Sequence, residues 1–168
     1  AYVSFDTTDD GLVEVKVSSS FISHEQAWIN LYRELPKSKK FHDILAEGRK
    51  SWNNELSKIK VRAENSDYGL SNKIKFYSCF YRTILFPRQF HEYNIDGEQI
   101  HYSPYNGEIL EGPLYTDNGF WDTFRAVFPF YTILYPEKLG EIMQGIMVNP
   151  YKESGWLPEW SSPGHRDC

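Results

Sequence analysis

The chain has 168 residues, of which 40 % are hydrophobic, 24 % charged and 17 % aromatic. That composition suits one ordinary domain with a real core and speaks against disorder. The formal charge is −5, and the whole deficit lies in residues 101–168, where 4 Lys+Arg face 9 Asp+Glu, which argues against a nucleic-acid partner.

Leu12 to Val17 alternates apolar and charged side chains, the pattern of a half-buried strand. Residues 1–5 are placed to pair with it across Asp9-Asp10-Gly11. Ser23 with Gln26 reads as a capping box and predicts a helix over 23–35, with Ala27, Trp28, Leu31 and Leu35 inward and Pro36 as the stop. Phe41, Ile44, Leu45, Trp52, Leu56 and Ile59 give one stripe of a second helix over 41–61, on which His42 and Asp43 are solvated surface. Residues 64–70 read as a loop. Ser71 or Asn72 then caps a third helix, over 72–86, apolar on nearly every face and so buried between other elements. Cys79 on that helix reads as a small buried hydrophobe. A disulfide from Cys79 to Cys168 has no support in the pattern, and no cysteine spacing suits a metal. Asp96-Gly97 is a turn between Phe90–Tyr93 and Gln99–Tyr102, and Tyr105-Asn106-Gly107 is another.

The centre of the chain runs from Tyr115 to Arg125. It starts as a loop after Gly112-Pro113 and becomes a helix capped by Asp117 or Asn118. Phe120, Phe124 and Phe128 recur at every fourth position and predict a helix over 120–134 with one aromatic stripe. Trp121, Asp122 and Arg125 crowd a different patch near its start. An indole face and a carboxylate are what a neutral polyhydroxylated ligand needs. The same residues also suit an Asp122–Arg125 ion pair beside a core tryptophan, and the pattern leaves both readings open. Leu139, Ile142, Met143, Ile146 and Met147 define an amphipathic helix over 136–149, opened by Pro136 and closed by Pro150. The tail, with Trp156, Glu159, Trp160, His165 and Arg166, reads as loop, and two tryptophans in a loop suggest a role in binding. No apolar run is long enough to cross a bilayer, and no signal peptide is visible. Both ends read as cut, so the chain is expected to be a fragment. The expected fold class is mostly α with a short N-terminal antiparallel β piece.

Several blocks, in this order, resemble glycoside hydrolase family 92, the calcium-dependent exo-acting α-mannosidases. They are Val13-Glu-Val-Lys-Val with Phe21-Ile-Ser, Phe76-Tyr-Ser-Cys-Phe-Tyr-Arg, His101-Tyr-Ser-Pro-Tyr, Tyr115-Thr-Asp-Asn-Gly-Phe-Trp-Asp-Thr-Phe-Arg, and Gly155-Trp-Leu-Pro-Glu-Trp with Ser162-Pro-Gly. The resemblance implies the last strands of a β-sandwich over 1–22, linker helices over 23–70 and the first part of an (α/α)6 barrel over 71–168. It implies release of terminal α-linked mannose, α-1,2-linked by expectation, from mannosides or N-glycans. The implied mechanism is inverting, with an acid and a base about 6.5–9.5 Å apart. Trp121 and Asp122 match the family's tryptophan–aspartate pair in the mannose pocket, with Arg125 positioning Asp122. Glu159 and Trp160 match its Pro-X-Trp segment, whose middle position varies.

The family's acid, base and main calcium ligands belong to motifs that this chain does not show, so the fragment alone is expected to be inactive. An extracellular, periplasmic or cell-surface location is implied as well. The other readings are a non-catalytic carbohydrate-binding or domain-interaction module, and an inverting hydrolase of another sugar.

Overall fold

Ser23 opens the first helix. Its hydroxyl accepts the Gln26 N–H at 3.0 Å, and α1 spans His24–Glu34. The structure, a computed structural model, describes residues 2–6, 11 and 13–163. Helix α2 spans Phe41–Leu56. Asp43 is more than solvated surface there, because its carboxylate accepts the Lys40 N–H at 2.9 Å at the helix start. The helix stops short of residue 61, where the Ser57 hydroxyl turns back to the Asn54 carbonyl at 3.1 Å. Helix α3 spans Asp67–Thr83, so it starts earlier than the sequence predicts. Its cap is Ser66, whose hydroxyl accepts the Gly69 N–H at 3.1 Å. Gly69 lies in the first turn, where a Cβ would fall 2.2 Å from the Glu64 carbonyl oxygen; the glycine permits this close approach and does not mark a loop.

The strands lie in the middle of the chain and at its far end. They are β1 (Arg88–Gln89), β2 (Glu92–Tyr93), β3 (Gln99–Tyr102), β4 (Ile109–Glu111), β5 (Tyr115–Thr116), β6 (Asn118–Gly119) and β7 (Trp160–Ser161). The predicted turns hold: β2–β3–β4 is an antiparallel meander, with Gly97 at φ 86° and Gly107 at φ 82° in its two connections. The expected N-terminal β piece is not formed over the described residues. Residues 13–17 are exposed and form no strand, since a strand needs a partner ladder for its backbone groups and none of the described strands pairs with them. Lys16 ties this segment down, donating to the Pro36 and Lys39 carbonyls at 2.8 and 2.7 Å. Farther on, the Glu92 carboxylate accepts from the Ser20 hydroxyl, the Phe21 N–H and the Asn30 amide, which ties α1 and its entry to the meander.

Proline sets the remaining helices. The predicted helix over 120–134 divides into α4 (Phe120–Thr123) and α5 (Val127–Leu134). Pro129 has no N–H for the Arg125 carbonyl, and its ring would crowd that carbonyl in a continuous helix. The aromatic stripe breaks with it: Phe120 and Phe128 pack on the core while Phe124 is exposed. Helix α6 spans Pro136–Met143 and is followed by a π-helical segment, Gln144–Val148, and by α7, Asn149–Ser154. Pro150 therefore does not close the helix. It enters the first turn of α7, where a missing N–H costs least, and Gly155 at φ 80° makes the stop.

The core gathers Tyr115, Tyr131, Ile142 and Ile146, with Ile84, Phe130, Tyr135 and Leu139 packed against it. Helix α3 contributes less than its composition suggests. Phe80 is buried edge-on to Phe130, with ring centroids 5.7 Å apart, but Leu70, Ile74, Tyr81 and Cys79 are exposed. Three apolar faces need three neighbours, and among the described residues α3 does not have them. Trp28 is also exposed, stacked on Tyr32 at 5.6 Å. Cys168 lies outside the described residues.

The two glycines beside the core make a paired test. At Gly145 a Cβ would meet the Tyr115 ring at 2.7 Å and the Pro113 carbonyl oxygen at 3.1 Å, whereas at Gly140 it would meet nothing within 4 Å. Gly145→Ala should destabilise by about 1–3 kcal/mol. Gly140→Ala should stabilise by about 0.5–1 kcal/mol, because an open helical site gains from lost backbone freedom in the unfolded chain. Denaturant midpoints of the two variants check this, and equal midpoints would contradict it.

Candidate functional site

The stretch that carries the candidate site is an extended run held by its carbonyls. The Gly112 carbonyl lies 2.9 Å from His101 Nδ1, and the Pro113 carbonyl accepts from the Asn149 amide at 2.8 Å. The Leu114 carbonyl accepts the Phe90 N–H at 2.9 Å, and the Tyr115 carbonyl accepts the Ser161 hydroxyl at 2.6 Å. Beneath the run, the Tyr115 hydroxyl donates to Glu141 at 2.7 Å, and Lys138 donates to the same Glu141 at 2.9 Å. Burial alone would raise the Glu141 carboxyl, but these donors hold it below the usual range. Burial lowers the His91 pKa, so the ring is neutral beside Leu114 and Gln99.

Past Thr116 the chain turns at Asp117, which has φ 61° and pairs with Arg88 Nε at 2.8 Å. Neither Asp117 nor Asn118 caps the next helix; Gly119 holds that position. Strand β6 pairs antiparallel with β7, Asn118 opposite Ser161 and Gly119 opposite Trp160. This register brings the site residues together. A Cβ on Gly119 would lie 2.3 Å from a Trp160 ring carbon and 2.6 Å from Asp122 Oδ2. The indole and the carboxylate therefore meet over a residue that has no side chain. Trp121, one residue before Asp122, is 70 % exposed and Trp160 is 46 % exposed. The Trp160 indole and the Asp122 carboxylate, on segments some forty residues apart in sequence, are thus brought together with the exposed Trp121 next to Asp122 in the chain, and these are groups suited to C–H faces and hydroxyls.

Arg125 does not pair with Asp122. Its guanidinium lies over the Trp121 ring at 5.3 Å from the centroid and over Phe124 at 4.9 Å. The break before α5 explains this, since Arg125 sits past the end of α4 and has left the helical i+3 position that an ion pair would use. The ion-pair reading of Asp122 and Arg125 is thus corrected. Glu159 is exposed beside Trp160 and has no bond to another described residue. His165 and Arg166 lie outside the described residues.

Sequence reasoning missed Gly119 and Ser161. A lone glycine inside a strand marks a close backbone approach, so Asn118-Gly119 carried a signal that was overshadowed by the helical pattern after it. Ser161 carried none. A buried pair also escaped it: His101 Nε2 lies 2.9 Å from Glu153 Oε1. Burial pushes the Glu153 carboxyl up, yet the His101 bond and charge win and hold it below the ordinary range. A cavity of about 420 Å³ opens elsewhere, lined by Trp52, Tyr131, Tyr135 and Lys58 among others. Its charged groups are spent on each other, Lys58 on Glu55 at 2.7 Å and Lys138 on Glu141, whereas the Asp122 carboxylate pairs with no cation among the described residues. Among the described residues no three His, Cys, Asp or Glu side chains converge on a metal site.

The glycosyl hydrolase family 92 catalytic domain matches residues 26–168. A family 92 inverting mannosidase of Bacteroides thetaiotaomicron superposes with TM-score 0.79 at 48 % identity, over 89 % of this chain and 19 % of that one. A family 92 α-mannosidase of the same organism, solved with mannoimidazole, superposes with TM-score 0.73 at 27 % identity, over 87 % of this chain and 18 % of that one. An uncharacterized secreted glycosidase of Arthroderma benhamiae is 24 % identical over 164 residues, 94 % of this chain and 16 % of its own length. The chain thus spans less than a fifth of each relative.

Two measurements test this geometry. Gly119→Ala should displace the Trp160 ring and change the tryptophan emission, and the change should vanish in a Trp160→Phe background. The Glu153 carboxyl, lowered in the fold, contributes stability that is complete above its unfolded value of about 4.3 and is lost as pH falls through the folded value. Glu153→Gln should therefore flatten the acid limb of the stability–pH curve, while an unchanged slope would mean that the His101–Glu153 pair does not hold in solution.

Proposed function

The chain belongs to glycosyl hydrolase family 92, and on that premise we propose that it forms one wall of the terminal-mannose pocket of an exo-acting α-mannosidase. The observation that carries the proposal is the meeting of Asp122 and Trp160 over Gly119, with the exposed Trp121 next to Asp122 in the chain. In this reading Asp122 accepts hydrogen bonds from ring hydroxyls, and the indoles cover the sugar's C–H face. Arg125 holds the Trp121 ring by stacking, and Glu159, exposed next to Trp160, contacts substrate at the rim. The reaction is inverting release of α-linked mannose, with α-1,2 linkages in mannosides or N-glycans as the first substrates to try.

The acid, the base and the calcium ligands lie outside the described residues in this proposal, so the chain alone does not turn over substrate. The N-terminal segment to residue 22 would close a β-sandwich, residues 23–70 would link, and residues 71–168 would begin an (α/α)6 barrel, although α3 already starts at Asp67. The secreted relative supports action outside the cytoplasm, and among the described residues no helix is long and apolar enough to cross a membrane.

Asp122 contributes to rate if it binds the distorted sugar more tightly than the ground state. Losing one charge-assisted hydrogen bond costs about 1.5–3 kcal/mol, or roughly ten- to a hundred-fold in rate. Asp122→Asn in the full-length protein should lose at least about tenfold in kcat/KM on an α-mannoside, with a melting temperature near wild type, since the side chain is exposed. Full activity in that variant would remove Asp122 from the pocket.

A further inference from the structure

We propose that Asp117, paired with Arg88, is a positioning residue that sets the gap between Asp122 and Trp160; the catalytic part of this inference rests on the sugar-site reading above. Asp117 is the one non-glycine residue with positive φ among the described residues, at φ 61°. It is also the single residue between two ladders. Thr116 before it pairs with Arg88 in β1, and Asn118 after it pairs with Ser161 in β7. A left-handed residue at this joint turns the chain away from β1, so that β6 meets β7 instead.

Beyond the two backbone ladders, the neighbouring side chains add little to hold the joint. Thr116 and Asn118 are 3 % and 2 % exposed, and the Thr116 hydroxyl and both polar atoms of the Asn118 amide have no hydrogen-bond partner among the described residues. Buried polar side chains usually fix a turn by bonding to it, and here they do not. The bond that does is Asp117 Oδ2 to Arg88 Nε at 2.8 Å. It closes from the joint back to the residue opposite Thr116, so the angle between the ladders is tied to β1.

That angle matters because nothing flexible separates it from the site. Gly119 is two residues on, α4 follows at once, and Trp160 stands across the β6–β7 ladder. The contact there leaves no slack: the space for one methyl group at Gly119 is already taken by the Trp160 ring and the Asp122 carboxylate. A small rotation at residue 117 therefore moves Asp122 and Trp160 relative to each other.

The test separates the backbone conformation from the Arg88 bond. Aspartate and asparagine tolerate the left-handed region, and alanine does not. Asp117→Asn loses the charge but keeps the conformation and an oxygen that accepts from Arg88. Asp117→Ala loses the conformation and the acceptor, and Arg88→Met loses the donor alone. In the full-length enzyme, Asp117→Asn should stay within about threefold of wild-type kcat/KM. Asp117→Ala and Arg88→Met should each fall by about tenfold or more, in kcat with KM little changed. Arg88 is half-exposed, so Arg88→Met should fold even if Asp117→Ala does not. Trp160 emission, judged against Trp160→Phe, gives a readout independent of catalysis. It should shift in Arg88→Met and not in Asp117→Asn. Unchanged emission in a folded Arg88→Met protein overturns the proposal, as does wild-type kcat/KM there when Asp122→Asn is impaired. If Asp122→Asn is fully active while Arg88→Met still shifts the emission, the positioning holds and the sugar-site reading fails.

Discussion

Four consecutive carbonyls, from Gly112 to Tyr115, are each taken by a different part of the chain. The donors are His101 in β3, the Phe90 backbone after β1, Asn149 at the start of α7 and Ser161 in β7. A single such bond contributes about 0.5–1.5 kcal/mol, but a buried carbonyl left without a donor costs about 1–3 kcal/mol. The run is therefore over-determined: no one of its neighbours can shift without leaving a polar atom unpaired. The candidate site starts from it. The fixed run brings residues 116–118 up to β7, and the joint at Asp117 then sets how Asp122 and Trp160 meet.

The close approaches around this run explain why small residues stand where they do. Gly145 admits the Tyr115 ring, and Gly119 admits both Trp160 and Asp122. The π-helical segment at Gln144–Val148 falls where α6 passes under the run, and it ends at Asn149, whose side chain reaches the Pro113 carbonyl and accepts from Gln144 at 2.7 Å. Local irregularities of this kind are frequent at functional sites. Here the irregular helix, the left-handed Asp117 and the two crowded glycines all bear on the same seven or so residues.

Prolines shape the site from the other side. A continuous helix from Phe120 to Leu134 would have kept Arg125 within reach of Asp122 and joined them as an exposed ion pair. Pro129 prevents it. The four-residue α4 ends early, Arg125 swings onto the Trp121 ring, and the Asp122 carboxylate is left beside Trp160. A carboxylate without a nearby cation keeps its acceptor capacity for hydroxyl groups, which is the property a sugar pocket requires.

The sequence by itself determined the parts. Helical spacing placed α1 and α2, with a serine cap at the start of α1, the turn glycines placed the meander, and the Trp-Asp-Thr-Phe-Arg block pointed to the family and to the candidate site residues. It did not determine how those parts meet. Ser23 and Gln26 act locally, so their pattern is legible within a few residues; the pairing of Gly119 with Trp160 joins positions far apart, and no local pattern encodes a register between them. The valine alternation at residues 13–17 shows the same limit from the opposite direction: it reads as a strand, yet a strand exists only where a partner supplies the hydrogen bonds. Likewise Cys79 and Trp28 have the composition of core residues, and whether they are covered depends on which neighbours the tertiary fold brings to them. Tertiary structure decided the site because its geometry is a contact between distant backbones, and such contacts are fixed by packing rather than by propensity.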